Sequence, residues 1–131
     1  MSVPPDLTVT IVSWNTEELT RNCLQSLLTE NVRRIAEVHV VDNNSSDGSV
    51  EMIRREFPEV KIFANTENLG FAGANNQSWH EAKGRYWLLL NSDTIVMRKP
   101  LLFKSVSMVA QRPASCNMVK DFDFSRRVLR G

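Results

Sequence analysis

The sequence predicts an α/β domain built on one mostly parallel sheet with helices on both faces. Short apolar or β-branched runs alternate with segments of helical period, separated by few residues. Right-handed β-α-β units produce this alternation. Residues 86–90 read Tyr-Trp-Leu-Leu-Leu and run straight into Asn91, Ser92, Asp93 and Thr94. A strand covered on both faces has this unbroken apolar character. Polar residues also follow the first two strands, at Trp14-Asn15 and Asp42-Asn43. In a parallel sheet these three polar ends share one rim, the carboxyl rim where open α/β sheets bind ligands.

Pro4 and Pro5 keep residues 1–6 extended. Residues 7–14 are rich in Val, Ile and Thr and form the first strand. Asn15 is placed to cap a helix, with Glu18 completing a capping box. Leu19, Cys23, Leu24, Leu27 and Leu28 mark the apolar face of that helix. Residues 37–41 form the second strand. Residues 42–48 are too polar for an element interior, and Ser46 or Asp47 caps the next helix, whose stripe is Val50, Ile53 and Phe57. Pro58 ends it. The third strand covers residues 60–64. Residues 65–76 hold Gly70 and Gly73 among small residues and asparagines, as expected of a loop and helix start packed close to a sheet or ligand. This helix runs to about Lys83, with Gly84 at C′. Residues 85–90 form the fourth strand. A further helix starts at Pro100 and carries Leu102, Val106 and Val109, closing at Pro113; residues 116–119 form a fifth strand. The pattern fades over residues 114–131, a weakly defined tail of the single domain 1–131.

Composition narrows the function. The chain has 131 residues, 42% hydrophobic and 24% charged, a globular balance. A net charge of +1 gives no electrostatic basis for nucleic-acid binding, and Arg126, Arg127 and Arg130 read as a solvated tail. Cys23 and Cys116 fit no metal or redox spacing, and Cys23 reads as a buried thiol. The start has neither the basic segment nor the apolar core of a signal peptide, and no apolar run approaches the ~20 residues of a membrane helix. The expectation is a cytoplasmic chain, at most peripheral at the inner face of the membrane.

The rim chemistry fits a nucleotide. A carboxylate such as Asp42 can accept hydrogen bonds from a base or a ribose, and Trp14 can stack against a base. A second carboxylate, Asp93, can hold a divalent cation that neutralises a diphosphate. Neither a Gly-rich fingerprint nor a P-loop follows the first strand, so more of the phosphate binding falls to the metal. Trp79 and Trp87 read as core, and His39 and His80 as structural or solvated.

Residues 10–15 (Thr-Ile-Val-Ser-Trp-Asn), 41–48 (Val-Asp-Asn-Asn-Ser-Ser-Asp-Gly), 68–76 (Asn-Leu-Gly-Phe-Ala-Gly-Ala-Asn-Asn) and 89–94 (Leu-Leu-Asn-Ser-Asp-Thr) together resemble the successive motifs of family 2 glycosyltransferases, in order and at family-like spacing. The flavour is that of the rhamnosyltransferase-like members. The resemblance implies a GT-A fold and transfer of a sugar from a nucleotide diphosphate (UDP, dTDP or GDP) to a glycan or lipid-linked acceptor, with Mg²⁺ or Mn²⁺. By position, Val12 and Trp14 would line the base pocket and Asp42 would contact the base beside Asn43. Asn68 and residues 70–76, with Gly70 and Asn75, would wall the ribose and sugar. Ser92 would lie against the nucleotide, and Asp93 would be the metal ligand. Asn91 stands where the family's first acidic residue would be. The family's acceptor site and catalytic base follow this region, whereas the sequence runs only to Gly131, with Asp121 and Asp123 in a charged stretch. No catalytic base is identified. The resemblance therefore covers the donor-binding half and implies a truncated GT-A domain. A binding or oligomerisation module without chemistry, pairing with itself or with another chain, is the alternative. A nucleotidyltransferase would need the missing Gly-rich signature.

Overall fold

A computed structural model of the protein describes residues 4–96 and the backbone of residues 106–111. The elements are β1 (Leu7–Ser13), α1 (Glu17–Leu27), α2 (Glu30–Ile35), β2 (Ala36–Asp42), α3 (Ser49–Glu56), β3 (Lys61–Ala64), α4 (Gly70–Glu81), β4 (Tyr86–Asn91) and β5 (Val106–Gln111). They form one five-stranded sheet in the order β3-β2-β1-β4-β5. The first four strands are parallel, and β5 runs antiparallel along β4.

The two faces of the sheet differ in chemistry because side chains alternate along each strand. Val9 and Ile11, Val38 and Val40, and Leu88 and Leu90 point to one face. There they meet Cys23, Leu24 and Leu27 of α1 and Met52 and Ile53 of α3, all essentially buried. Each such side chain contributes about 1.5–3 kcal/mol by leaving water. The opposite face carries Thr8, Thr10, His39, Trp87 and Leu89 under α4. It is held partly by polar contacts. The Trp87 indole donates to Thr10 Oγ1 at 2.8 Å, Thr10 and Ser78 share a 2.6 Å hydroxyl contact, and Ser78 Oγ lies 2.8 Å from His39 Nδ1. Trp79 of α4 packs on Trp87 with ring centroids 4.5 Å apart. Both tryptophans are core, as their sequence setting predicts.

Several elements depart from the sequence expectation. The expected helix through Val106 and Val109 is replaced by β5: those residues pair with β4, with Leu90 opposite Val106 and Leu88 opposite Val109. Two valines three apart satisfy a helical period, but both are β-branched, and the open edge of β4 supplies a ladder that overrides the local pattern. Pro100, Leu102, Pro113, residues 116–119 and the tail from 114 lie outside the described residues. Helix α2 is absent from the sequence reading because its apolar content is slight. It rests on Thr29, whose Oγ1 accepts from Val32 N at 3.3 Å, and on the Glu30–Arg34 pair one turn apart.

Gly84 is not a C′ residue, since α4 ends at Glu81 with Ala82 as its cap. A Cβ on Gly84 would stand 2.4 Å from the backbone nitrogen of Thr8. The glycine therefore permits the α4–β4 connection to pass against β1, where its N–H donates to Thr8 Oγ1 at 2.9 Å. No helix among the described residues is long and apolar enough to cross a membrane.

Candidate nucleotide-sugar site

The polar strand ends converge on the carboxyl rim as the alternation predicts. Ser13 pairs with Asp42 and Val12 with Asn91, so the ends of β1, β2 and β4 stand side by side. The loops after β1 and β2 are clamped together. Asn15 adopts a left-handed conformation, φ 52°, which asparagine tolerates better than most residues. Its N–H donates to Ser45 Oγ at 2.8 Å, and its Oδ1 accepts from Ser46 N at 2.7 Å. Asn15 therefore braces the neighbouring loop and does not cap α1. The N-cap position belongs to Thr16, which makes no side-chain cap bond. Glu18 closes no capping box and pairs with Arg21. The capping carboxylate comes from Asp47: Oδ2 accepts from Glu17 N at 3.1 Å and Oδ1 from Ser49 N at 3.0 Å. One side chain thus serves the first turns of both α1 and α3.

Asp42 is 1% exposed, and Ser45 satisfies it through N–H to Oδ2 at 2.8 Å and Oγ to Oδ1 at 2.7 Å. Each oxygen retains a further lone pair. Asn43 is buried and organises the start of α4. Its Nδ2 donates to the Gly70 carbonyl at 3.2 Å, and its Oδ1 accepts from Leu69 N at 3.2 Å. Asn68 Oδ1 accepts from Gly70 N at 2.8 Å, and Gly70 has φ 73°, with open space where a Cβ would be. Asn65 and Gln77 exchange two amide hydrogen bonds of 2.9 Å, locking the loop after β3 to the helix.

Beside this knot lies a cleft of about 290 Å³. Its apolar floor is Val12, Leu89 and Leu90, with Phe71 and Asn75 on the α4 side and Asn91, Ser92 and Asp93 at one end. Asp93 is exposed. Ser92 Oγ accepts from Thr16 Oγ1 at 3.4 Å. Under this end sits Cys23, whose thiol donates to the Asn91 carbonyl at 3.8 Å. Burial, with a smaller contribution from the Asp93 charge, pushes the thiol up to about 12, so Cys23 is the buried thiol its helix position predicts.

Of the sequence-predicted residues, Val12, Asn75, Ser92 and Asp93 share the cleft, while Asn43, Asn68 and Gly70 form the adjoining knot. Asp42 and Trp14 lie outside the cleft lining. Strand β1 stops at Ser13, leaving Trp14 55% exposed at the rim. Phe71 falls inside the 70–76 segment expected to wall the site without being named there, and Ser45 has no role in the sequence expectation. A serine three residues after a strand-end Asp is the signal that marks Ser45. Phe71 is signalled only by being a large apolar residue in an otherwise small and polar helix start. Among the described residues no group of three or more His, Cys, Asp and Glu could hold a metal ion. Asp93, with the oxygens of Asn91 and Ser92, offers one carboxylate and neutral donors. That set fits Mg²⁺ or Mn²⁺ held jointly with phosphate oxygens, because Mg²⁺-type sites use one or two carboxylates and complete the shell with water and substrate.

A mostly parallel sheet, helices on both faces and a polar carboxyl rim are the features of an open α/β ligand-binding domain, and the solved structures it matches place it in the GT-A class. Among solved structures it is similar to the mannosyltransferase PcManGT from Pyrobaculum calidifontis, in complex with GDP-Man and Mn²⁺, with TM-score 0.62 and 27% identity over 72% of this chain and 29% of that one. The fold also matches S. aureus TarS 1–349, with TM-score 0.66 and 23% identity over 73% of this chain and 30% of the other. The chain belongs to glycosyl transferase family 2, whose family profile matches residues 8–127. It is 33% identical over 96 residues to glycosyltransferase GlyA of Streptococcus pneumoniae, 71% of this chain and 14% of that protein. It is 30% identical over 101 residues to a poly(ribitol-phosphate) beta-glucosyltransferase of Bacillus spizizenii, 73% of this chain and 16% of the relative. It therefore spans less than a fifth of the length of these curated relatives.

Proposed function

We propose that this chain binds a nucleotide-diphosphate sugar at the carboxyl rim with a divalent cation, for transfer of the sugar to a glycan-type or lipid-linked acceptor. The observation that supports this reading most directly is the cleft beside the ordered start of α4. Its apolar floor ends at Asp93, the one carboxylate in its lining among the described residues. On this reading that end would take the diphosphate, and the apolar part would take a ring. Asp93 would hold the cation with Asn91 and Ser92, and the cation would stabilise the diphosphate as it leaves. Asp42, fixed by Ser45, would present its remaining lone pairs to the base, with Trp14 available to stack at the rim. Asn43 and Asn68 would act by holding the Gly70 turn in place.

Transfer also needs a base to take the proton of the attacking acceptor hydroxyl. Among the described residues the cleft lining contains no second carboxylate. This supports a second reading, a nucleotide-binding module that performs no transfer by itself and acts by pairing with itself or another chain.

Calorimetric titration with UDP, dTDP and GDP, with and without Mn²⁺, tests the proposal. Metal-dependent binding to the wild type is expected, with the metal-dependent part abolished in Asp93→Ala. No binding under any condition overturns the proposal. Turnover of a nucleotide sugar then separates the two readings.

A further inference from the structure

A buried chain of hydrogen bonds joins the four elements that build the rim site. It runs from the Trp87 indole on β4 through Thr10 of β1 and Ser78 of α4 to His39 of β2. All four side chains are buried. The polarity of the chain is set at both ends. An indole N–H can only donate, so Thr10 Oγ1 accepts it at 2.8 Å. At the other end Glu37 Oε2 lies 3.6 Å from His39 Nε2, which places the imidazole proton on Nε2 and leaves Nδ1 an acceptor. Ser78 Oγ, 2.8 Å from Nδ1, therefore donates to it and in turn accepts from Thr10 Oγ1 at 2.6 Å. Each hydroxyl gives one proton and takes one.

This chain has no place for a second proton on His39. Protonated Nδ1 is a donor facing a donor. Ser78 must then turn its proton toward Thr10, and Thr10 must turn its own away. The next group along is the Trp87 N–H, which cannot accept. The charged groups that face the ring do not relieve the conflict. Glu37, on β2, stands at Nε2 and already accepts from Thr8 Oγ1 and Lys83 N. Lys61 of β3 and Glu81 of α4 pair with each other, and the partner that β1 supplies to the chain is the neutral Thr10. An imidazolium therefore breaks the link between Ser78 and His39. That link lies close to the site on both elements. His39 is three residues before Asp42 on β2, and Ser78 shares the buried face of α4 with Asn75.

We propose that His39 and Ser78 form a pH-sensitive latch on α4, which acidification releases, lowering the affinity of the rim cleft for its ligand. The latch rests on the nucleotide-diphosphate reading of the cleft given above. Phe71 and Asn75 of α4 line the cleft, so the ligand binds the latched form better. The coupling is reciprocal, and bound ligand holds His39 neutral. The His39 pKa is then lower with ligand than without. Affinity is constant above the ligand-free value and falls as pH drops through it. Burial already holds that value down, so the fall lies below about pH 6.5.

NMR titration of the two histidine rings in the full chain tests the latch. Mg²⁺ is present, with and without saturating nucleotide, which is whichever of UDP, dTDP and GDP binds most tightly. His80, exposed on the same helix, is the internal reference. Nucleotide is expected to move the His39 midpoint down by about one pH unit, equivalent to a tenfold loss of affinity on full protonation, and to leave His80 unchanged. Calorimetry should show the same roughly tenfold loss between pH 7 and pH 5, beyond the background from the nucleotide phosphates that His39→Gln retains alone. A His39 midpoint that stays put when nucleotide saturates the protein overturns the latch and needs no variant to fold. A His39 ring that stays neutral down to pH 5 overturns it too, as does an equal pH dependence of affinity in wild type and His39→Gln. Absence of binding by all three nucleotides at pH 7 overturns the nucleotide reading and the coupling with it, a result distinct from binding with an unmoved midpoint.

Discussion

Asp47 and Asp93 stand on the same rim, and their surroundings give them different roles. Asp47 receives backbone N–H groups at the starts of α1 and α3, together with the Ser49 hydroxyl at 2.5 Å. Against some burial, the Ser49 hydroxyl and these N–H groups hold its carboxyl below the ordinary Asp range. A lowered folded-state value means stability present above the unfolded pKa, ~3.9, and lost as pH falls through the folded one. Removing a single capping side chain costs about 0.5–2 kcal/mol. Asp47→Ala removes the cap of two helices at once and is expected to lie at the upper end of that range, with Asp47→Asn recovering most of the loss. Urea midpoints at pH 7 check this. The sequence offers Ser46 or Asp47 as the cap of α3, whereas the N-cap position is Gly48 and Asp47 accepts from Ser49 N beside it; the sequence also gives α1 its own cap at Asn15. The cap supplied across 30 residues of chain, from Asp47 to Glu17, has no local signature.

Strand β2 and helix α4 meet through His39, and here the element scale sets a pH dependence. His39 is 1% exposed, with Ser78 at Nδ1, Glu37 Oε2 3.6 Å from Nε2 and the Phe63 ring 5.4 Å away. Burial is the larger influence and lowers its pKa; Glu37 opposes it. Glu37 is itself held low against burial by hydrogen bonds from Lys83 N and Thr8 Oγ1. With His39 neutral in the folded state, the unfolded chain binds the extra proton between the folded value and ~6.5, so stability rises with pH across that window. The β2–α4 contact is therefore fully stabilised above about pH 6.5 and weakens as pH falls. His39→Gln is expected to flatten the fall in urea midpoint between pH 7 and pH 5. A wild type as stable at pH 5 as at pH 7 would contradict this. The sequence marks His39, inside a strand, only as structural or solvated, and the structure buries it. The polar network under α4 was not legible, because Thr10, Ser78 and Trp87 are far apart in sequence and each is unremarkable alone.

At the scale of the whole molecule, the legible part of the fold is what local pattern fixes. The four parallel strands are readable because each is a short apolar run closed by polar residues. Their shared rim follows from parallelism alone, so Asp42, Asn43, Ser92 and Asp93 could be placed together before any coordinates. Strand β5 was misread because an edge strand is decided by its neighbour. The cleft was only partly legible, since its floor at Leu89 and Leu90 reads simply as core. The rim residues are fixed by intraprotein hydrogen bonds: Asp42 by Ser45, Asn43 by Leu69 and Gly70, and Asn15 by Ser45 and Ser46. A site already held in place needs little ordering when a ligand arrives, so more of the interaction energy is left as affinity. For a ligand that binds only the folded state, the added stability is about 2.7 kcal/mol at a hundredfold excess over Kd. The expected outcome is a rise of several degrees in Tm when nucleotide diphosphate and Mn²⁺ are added together, and less with either alone. Asp93 is exposed and caps no helix among the described residues, so Asp93→Ala should match the wild-type Tm without ligand, within the ~0.5 kcal/mol usual for surface changes. It should then fail to show the joint shift. An unliganded Tm well below wild type would instead give Asp93 a structural role in the β4 turn, and its loss of binding would no longer report on the metal.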